Sequence, residues 1–208
     1  MQTFPQLLNN HKPIIAVITI EDPSHALPIA KALAEGGVSI LEITLRSQHG
    51  LDAIKRIREE MPALCVGAGT VTKPSQFSLI QKAGAQFSVS PGLTPSLIEA
   101  ARDHQSPFLP GAITPSEILM GIEGGLEFLK FFPAESSGGV DFLKNLAGPF
   151  PNIKFCPTGG VIDTNIQQYL STGNVFCVGT TWLTPPELIK EQRWGDISSR
   201  AQLLTKQY

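Results

Sequence analysis

Short apolar runs rich in β-branched residues alternate with helix-period segments along nearly the whole sequence. The runs are Pro13–Ile18, Ser39–Thr44, Leu64–Gly67, Phe87–Ser90, Pro107–Leu109, Leu126–Phe131, Ile153–Cys156 and Val175–Val178. Eight candidate strands, each followed by about one helix's worth of chain, predict a (β/α)8 TIM barrel of α/β class. Between the runs lie helical patterns such as Ile29–Ala34 and Leu51–Ile57. A doubly wound open sheet is the runner-up. It would carry a Gly-x-Gly-x-x-Gly turn after its first strand, where this chain has Glu21-Asp22-Pro23. Thr114-Pro115-Ser116-Glu117 reads as a capping box, Thr184-Pro185-Pro186-Glu187 as its repeat, and Asp22-Pro23 as a further cap. Gly36-Gly37, Gly84 and Gly173 are the expected helix stops, and Pro28 is expected to delay or kink the first long helix. Phe4, Leu7 and Leu8 predict a short N-terminal helix over one end of the barrel, and one or two helices are expected after Thr184. With no linker or composition shift, residues 1–208 read as one domain.

Composition narrows the class of function. The chain is 42% hydrophobic, which argues for a packed core. Sixteen basic against eighteen acidic residues leave no electrostatic footprint for nucleic acid or anionic lipid. No apolar run is long enough to span a bilayer, and the first residues lack a secretory pattern. Cys65, Cys156 and Cys177 are odd in number and lie in apolar surroundings. They read as buried hydrophobes in a reducing, cytoplasmic setting. His11, His25, His49 and His104 are scattered without metal-ligand spacing, so no metal site is expected.

Functional groups of such a barrel sit at the carboxyl ends of its strands. Lys130, in Leu126–Pro133, shares a strand face with Phe128 and Phe132. It is either exposed at a strand end or buried for a task. Desolvation favours the neutral amine, which can attack a carbonyl and form a Schiff base. Glu42 interrupts the apolar run Ile40–Thr44, and Arg46 follows it. The two read first as a structural ion pair, and second as a general acid/base with a carboxylate anchor. Glycine turns, Thr158-Gly159-Gly160 and Gly179-Thr180-Thr181, follow the last two strands, where barrels of this kind hold phosphate; they favour a phosphate site over plain turns. Gly67-Ala68-Gly69-Thr70 lines the mouth with small residues. Ser90-Pro91-Gly92 and Pro110-Gly111-Ala112 are tight turns, each followed by Thr-Pro-Ser, which predicts two similar turn-and-cap units.

These motifs, with Leu41–Arg46, Val66–Val71, Phe87–Gly92, Lys130–Glu135 and Phe155–Gly160 in this order, carry a resemblance. The chain resembles the 2-keto-3-deoxy-6-phosphogluconate (KDPG) aldolases, which often also act on 4-hydroxy-2-oxoglutarate (KHG). The resemblance implies a class I lyase, a homotrimer without metal or organic cofactor, that yields pyruvate and glyceraldehyde 3-phosphate. It matches Lys130 to the Schiff-base lysine and Glu42 to the general acid/base. Arg46 and Thr70 match the carboxylate grip, Pro91 and Phe132 the pocket walls, and Thr158, Gly159 and Gly160 the phosphate side. Replacing Lys130 by alanine is expected to abolish turnover without leaving an unpaired charge. The family usually reads Gly-Gly-Ser-Trp at the eighth strand; here the stretch is Gly179-Thr180-Thr181-Trp182. Thr181 keeps the hydroxyl. Thr180 is expected to need no positive φ, and its hydroxyl is a candidate extra contact to phosphate. A preference for the phosphorylated substrate follows. The alternatives are a lyase for an unphosphorylated or epimeric substrate, and a noncatalytic sugar-phosphate-binding barrel, which would need neither Lys130 nor Glu42.

Overall fold

A computed structural model describes residues 4–9 and 11–206. All eight expected strands are present: β1 (Ile14–Ile18), β2 (Ile40–Thr44), β3 (Cys65–Gly69), β4 (Ser88–Ser90), β5 (Phe108–Pro110), β6 (Phe128–Phe131), β7 (Lys154–Pro157) and β8 (Val178–Thr180). The helices are α1 (Phe4–Leu8), α2 (Ala26–Glu35), α3 (Gly50–Glu60), α4 (Gln76–Lys82), α5 (Pro95–Asp103), α6 (Pro115–Glu123), α7 (Gly139–Leu146), α8 (Ile166–Leu170), α9 (Pro186–Lys190) and α10 (Trp194–Thr205).

Six strands form a curled parallel sheet in the order β5-β4-β3-β2-β1-β8, and β6 pairs with β7 in a second parallel pair. Isolated bridges link that pair to the two edges of the six-stranded sheet: Gly111 to Lys130 on one side, and Phe155 to Val175 and Thr158 to Gly179 on the other. Every strand is buried on both faces, so the runs are apolar rather than alternating. Outward residues such as Ile14, Ala16, Leu41, Ile43 and Phe131 pack in one core with the helices. Inward residues Ile15, Ile40, Cys65, Phe87, Val89, Leu109, Cys156 and Cys177 form another, which Phe4 and Leu7 of α1 join as expected. Phe4 meets Phe87 edge to face at 5.6 Å.

Local chemistry explains most boundaries. Thr114 caps α6 in a complete capping box with Glu117. Thr94 caps α5 by accepting from the Leu97 N–H, ahead of a proline at the first helical position but with no return bond. The Thr-Pro-Ser echo is therefore shared cap geometry, with the box on α6 alone. Asp22 caps a short 3-10 turn at Pro23–His25 that leads into α2. Pro28 is the third residue of α2, where no intrahelical N–H is required, so it lies within the helix. Gly37 and Gly84 take positive φ behind α2 and α4.

Three expectations need correction. Thr184 does not cap α9: the second proline moves the start to Pro186, and Pro185 stands at the cap with no side-chain acceptor. Gly173 is not the helix stop, since α8 ends at Leu170 with Ser171 at its cap. The eighth strand begins at Val178 and runs through Thr180, because its ladder with β1 pairs Ile14 with Val178.

Candidate active site

Because the strands run parallel, their carboxyl ends share one rim. Lys130 projects from β6, with Cys156 as its neighbour in β7 and Gly111 across the bridge to β5. Its side chain is buried, with Phe132 packed 5.1 Å from Nζ. That settles the open choice for Lys130 in favour of burial. A lysine in such a place needs a partner. The partner is Glu42, at the middle of β2 between Val17 and Gly67, with Oε1 3.4 Å from Nζ.

This pairing corrects the first reading of Glu42. Its ion pair is with Lys130, 88 residues away in sequence, and not with Arg46. Arg46 lies exposed beyond β2 and pairs with no carboxylate among the described residues. A charged guanidinium left free at this rim can accept an anionic ligand.

The other expected residues cluster on the same rim. Thr70 follows β3, is half-buried and has φ 59, an uncommon angle for a β-branched residue. Pro91 follows β4 and is exposed, and Phe132 follows β6 and is half-buried. Thr158 follows β7 and is buried, with its hydroxyl donating to the Cys156 carbonyl at 3.4 Å. Gly159 and Gly160 have φ 98 and 79, angles that suit glycine. The carbonyls of the loop are held from behind. Gly159 O accepts from the Glu135 N–H at 3.1 Å, Gly160 O from Asn165 Nδ2 at 2.9 Å, and Val161 O from Thr180 Oγ1 at 2.6 Å. The N–H groups of Gly160, Val161 and Thr181 have no acceptor among the described residues. Unpaired backbone donors on adjacent loops are what an oxyanion requires.

Thr180 departs from expectation in one respect. As expected, its φ is not positive. Its hydroxyl, however, is turned away from the rim. It donates to Val161 O and accepts from the Trp182 N–H at 3.0 Å, so it has no proton left for a phosphate. Gly179 and Thr180 also belong to β8 itself, and the turn begins at the exposed Thr181.

Some participants were not singled out from the sequence. Thr44, two residues after Glu42 and on the same strand face, is buried and shares a 2.8 Å hydrogen bond with the Thr19 hydroxyl of the neighbouring segment. Period-two spacing from Glu42 is the signal that could have found it. Glu135 accepts from the Tyr169 hydroxyl, whose pKa is raised by burial and by that carboxylate. All three cysteines are free and buried, as read from sequence. Burial pushes the Cys65 thiol up to about 11, and raises that of Cys177, beside Cys156, well above its usual value. Such thiols are poor nucleophiles. Among the described residues no group of three or more His, Cys, Asp or Glu could hold a metal ion, and no helix is long and apolar enough to cross a membrane. A groove of about 820 Å³ between α2, α3 and α10 lies away from this rim; its lining is mostly apolar, from residues such as Leu27, Pro28, Met61 and Trp194, and is edged by the exposed pairs Lys31–Glu35 and Arg56–Glu60.

The sequence model of the KDPG and KHG aldolase family matches residues 7–200. The KHG/KDPG aldolase of Escherichia coli K12 is 45% identical over 190 residues, covering 91% of this chain and 89% of that one. The 2-dehydro-3-deoxy-phosphogluconate aldolase of Pseudomonas aeruginosa is 49% identical over 184 residues, covering 88% and 84%. Among solved structures, the KDPG aldolase of Legionella pneumophila, with pyruvate captured as a covalent carbinolamine, superposes with a TM-score of 0.93 at 40% identity. The match covers 97% of this chain and 98% of that one. With a buried lysine–carboxylate pair beneath a rim of free donors, and relatives matched over nearly their whole length, the chain belongs to the KDPG and KHG aldolase family.

Proposed function

We propose that this protein is a class I aldolase that cleaves KDPG to pyruvate and glyceraldehyde 3-phosphate, and that it also acts on KHG. The observation that carries the reading is the buried Lys130 Nζ, 3.4 Å from Glu42 Oε1. Lys130 passes its proton to Glu42 and, as the neutral amine, attacks the C2 carbonyl. Glu42 gives that proton to the departing hydroxyl, and loss of water leaves a protonated imine with Glu42 again a carboxylate. Glu42 takes the proton from the C4 hydroxyl. The C3–C4 bond then breaks, the aldehyde forms at C4, and the electron pair moves into the imine to give an enamine. No free carbanion is needed. Glu42 returns a proton to C3, and water hydrolyses the pyruvyl imine. Condensation is the same path reversed.

Arg46 and Thr70 grip the pyruvyl carboxylate, and Pro91 and Phe132 wall the pocket. Thr158, Gly159, Gly160, Gly179 and Thr181 form the phosphate side, with free N–H groups at Gly160, Val161 and Thr181 supporting that role. Thr180 serves from behind rather than by contact. Its place in the reading is supported by its bond to Val161. The chemistry calls for no metal or organic cofactor. The described residues form one domain, a closed (β/α)8 barrel; the isolated bridges at both seams support the closure. The assembly is a homotrimer in the cytoplasm.

Borohydride reduction in the presence of pyruvate tests the reading. It should inactivate the protein and label the peptide that contains Lys130. A label on another lysine, or none, would overturn the assignment.

A further inference from the structure

We infer that Thr180 is a positioning residue that clamps the loop after β7 to the loop after β8, and so sets the spacing of the donors that receive the substrate phosphate. The inference rests on the aldolase reading above and deepens it.

Alternation along β8 puts Cys177 among the inward residues and Val178 among the outward ones. Thr180 therefore faces outward, where it is 1% exposed. A hydroxyl has one proton and two lone pairs. The proton goes to Val161 O at 2.6 Å, and a lone pair accepts the Trp182 N–H at 3.0 Å. Among the described residues this is the one side chain whose hydrogen bonds join the two loops.

Beyond the backbone bridge between Thr158 and Gly179 at their base, each loop is otherwise fastened on its own side. The loop after β7 is tied by Glu135 and Asn165 to Gly159 O and Gly160 O. Glu135 also packs beneath Gly160, where a Cβ would lie 2.5 Å from its Cγ. In the loop after β8, the Trp182 carbonyl accepts from Arg200 Nη1 at 2.7 Å, and the Arg200 guanidinium lies 4.5 Å from the centre of the Trp182 ring. The free donors fall on both sides of the clamp: Gly160 and Val161 on one loop, Thr181 on the other. An anion held by both sets depends on the distance between them, and above the Thr158–Gly179 bridge the Thr180 hydroxyl is the side-chain link that holds it. A phosphate is remote from the bond that breaks, so its grip acts through binding and positioning.

Thr180→Val keeps the shape and removes both hydrogen bonds, whereas Thr180→Ser keeps both. In the valine variant KM for KDPG should rise roughly fivefold or more. KM for KHG, which carries no phosphate, should move much less, and serine should restore the wild-type ratio of the two. Amide exchange at Trp182, whose N–H the Thr180 hydroxyl accepts, should quicken in the valine variant and not in the serine one. If the valine protein does not fold, Thr180→Ala carries the same comparison. An unaltered KM ratio in a folded valine or alanine variant overturns the inference, as does an equal loss on both substrates. A wild-type protein that fails to cleave KDPG at all overturns the aldolase reading, and this inference with it.

Discussion

Glu42 fills the space that a side chain at position 69 would need. A methyl group on Gly69 would lie 2.2 Å from Oε1 and 2.7 Å from Cγ. Gly69 does not take a positive φ, so it is there for room rather than for backbone freedom. Gly67, two residues earlier on the same face, leaves room for the Phe87 ring, which a Cβ would approach to 2.3 Å. The two inward glycines of β3 thus let a carboxylate and a large ring share the interior. Gly69→Ala should push the Glu42 carboxylate out of line with Lys130. Overpacking costs about 1–3 kcal/mol, so the fold should survive. Activity should fall about 10²-fold, the scale for a misplacement near 1 Å. Steady-state cleavage beside a thermal melt checks this, and a folded variant within a few-fold of wild type would contradict it.

Lys130 and Glu42 form the one buried ion pair among those seen; the others have half-exposed or more exposed side chains. The expectation that Lys130→Ala leaves no unpaired charge therefore does not hold. Shortening the lysine strands the Glu42 carboxylate in the interior, at a cost of about 3–5 kcal/mol. Lys130→Ala should be inactive and clearly less stable. Adding Glu42→Gln should recover part of that stability while activity stays lost. Denaturant unfolding of the two variants distinguishes this from a neutral truncation, which would leave the single variant as stable as wild type.

Thr70 holds φ 59 directly after β3. A β-branched residue in that region stores strain of roughly 1–3 kcal/mol, and such strain persists where the surroundings or the function demand it. Thr70→Gly relieves the strain but removes the hydroxyl and adds chain entropy to the unfolded state. The melting temperature should stay level or rise, while KM for pyruvate in the condensation direction increases. A variant that loses stability and keeps its KM would mean that Thr70 serves the fold and not the ligand.

The eight strands were readable because each is an apolar run buried on both faces, closed by turn or cap chemistry that the sequence spells out. Boundaries slipped where the deciding partner was distant. Val178 opens β8 because Ile14 pairs with it, and no local pattern around Val175 reveals that. The site divides the same way. Lys130 and Glu42 stood out as charges in apolar strands, but their pairing joins positions 88 apart in sequence, so the nearer Arg46 was the natural partner to assign. The direction of the Thr180 hydroxyl was also hidden, since it depends on whether the eighth strand extends past Val178 and on the loop that brings Val161 beside it.

Glu42→Gln keeps the shape of the side chain and removes its capacity to take a proton. If Lys130 supplies the electron sink and Glu42 moves protons, the two halves of the reaction should separate in this variant. Borohydride trapping with pyruvate should persist, because the amine is still there to form the imine. Carbon–carbon cleavage should fall about 10²–10⁴-fold, the usual contribution of a positioned acid/base. Deuterium exchange into the pyruvate methyl needs the same proton transfer at C3 and should slow alongside cleavage. It is the sharper readout, since it requires neither the phosphate grip nor the aldehyde. Wild-type exchange in the glutamine variant would assign the proton transfer to another group and leave Glu42 only the role of counter-ion to Lys130.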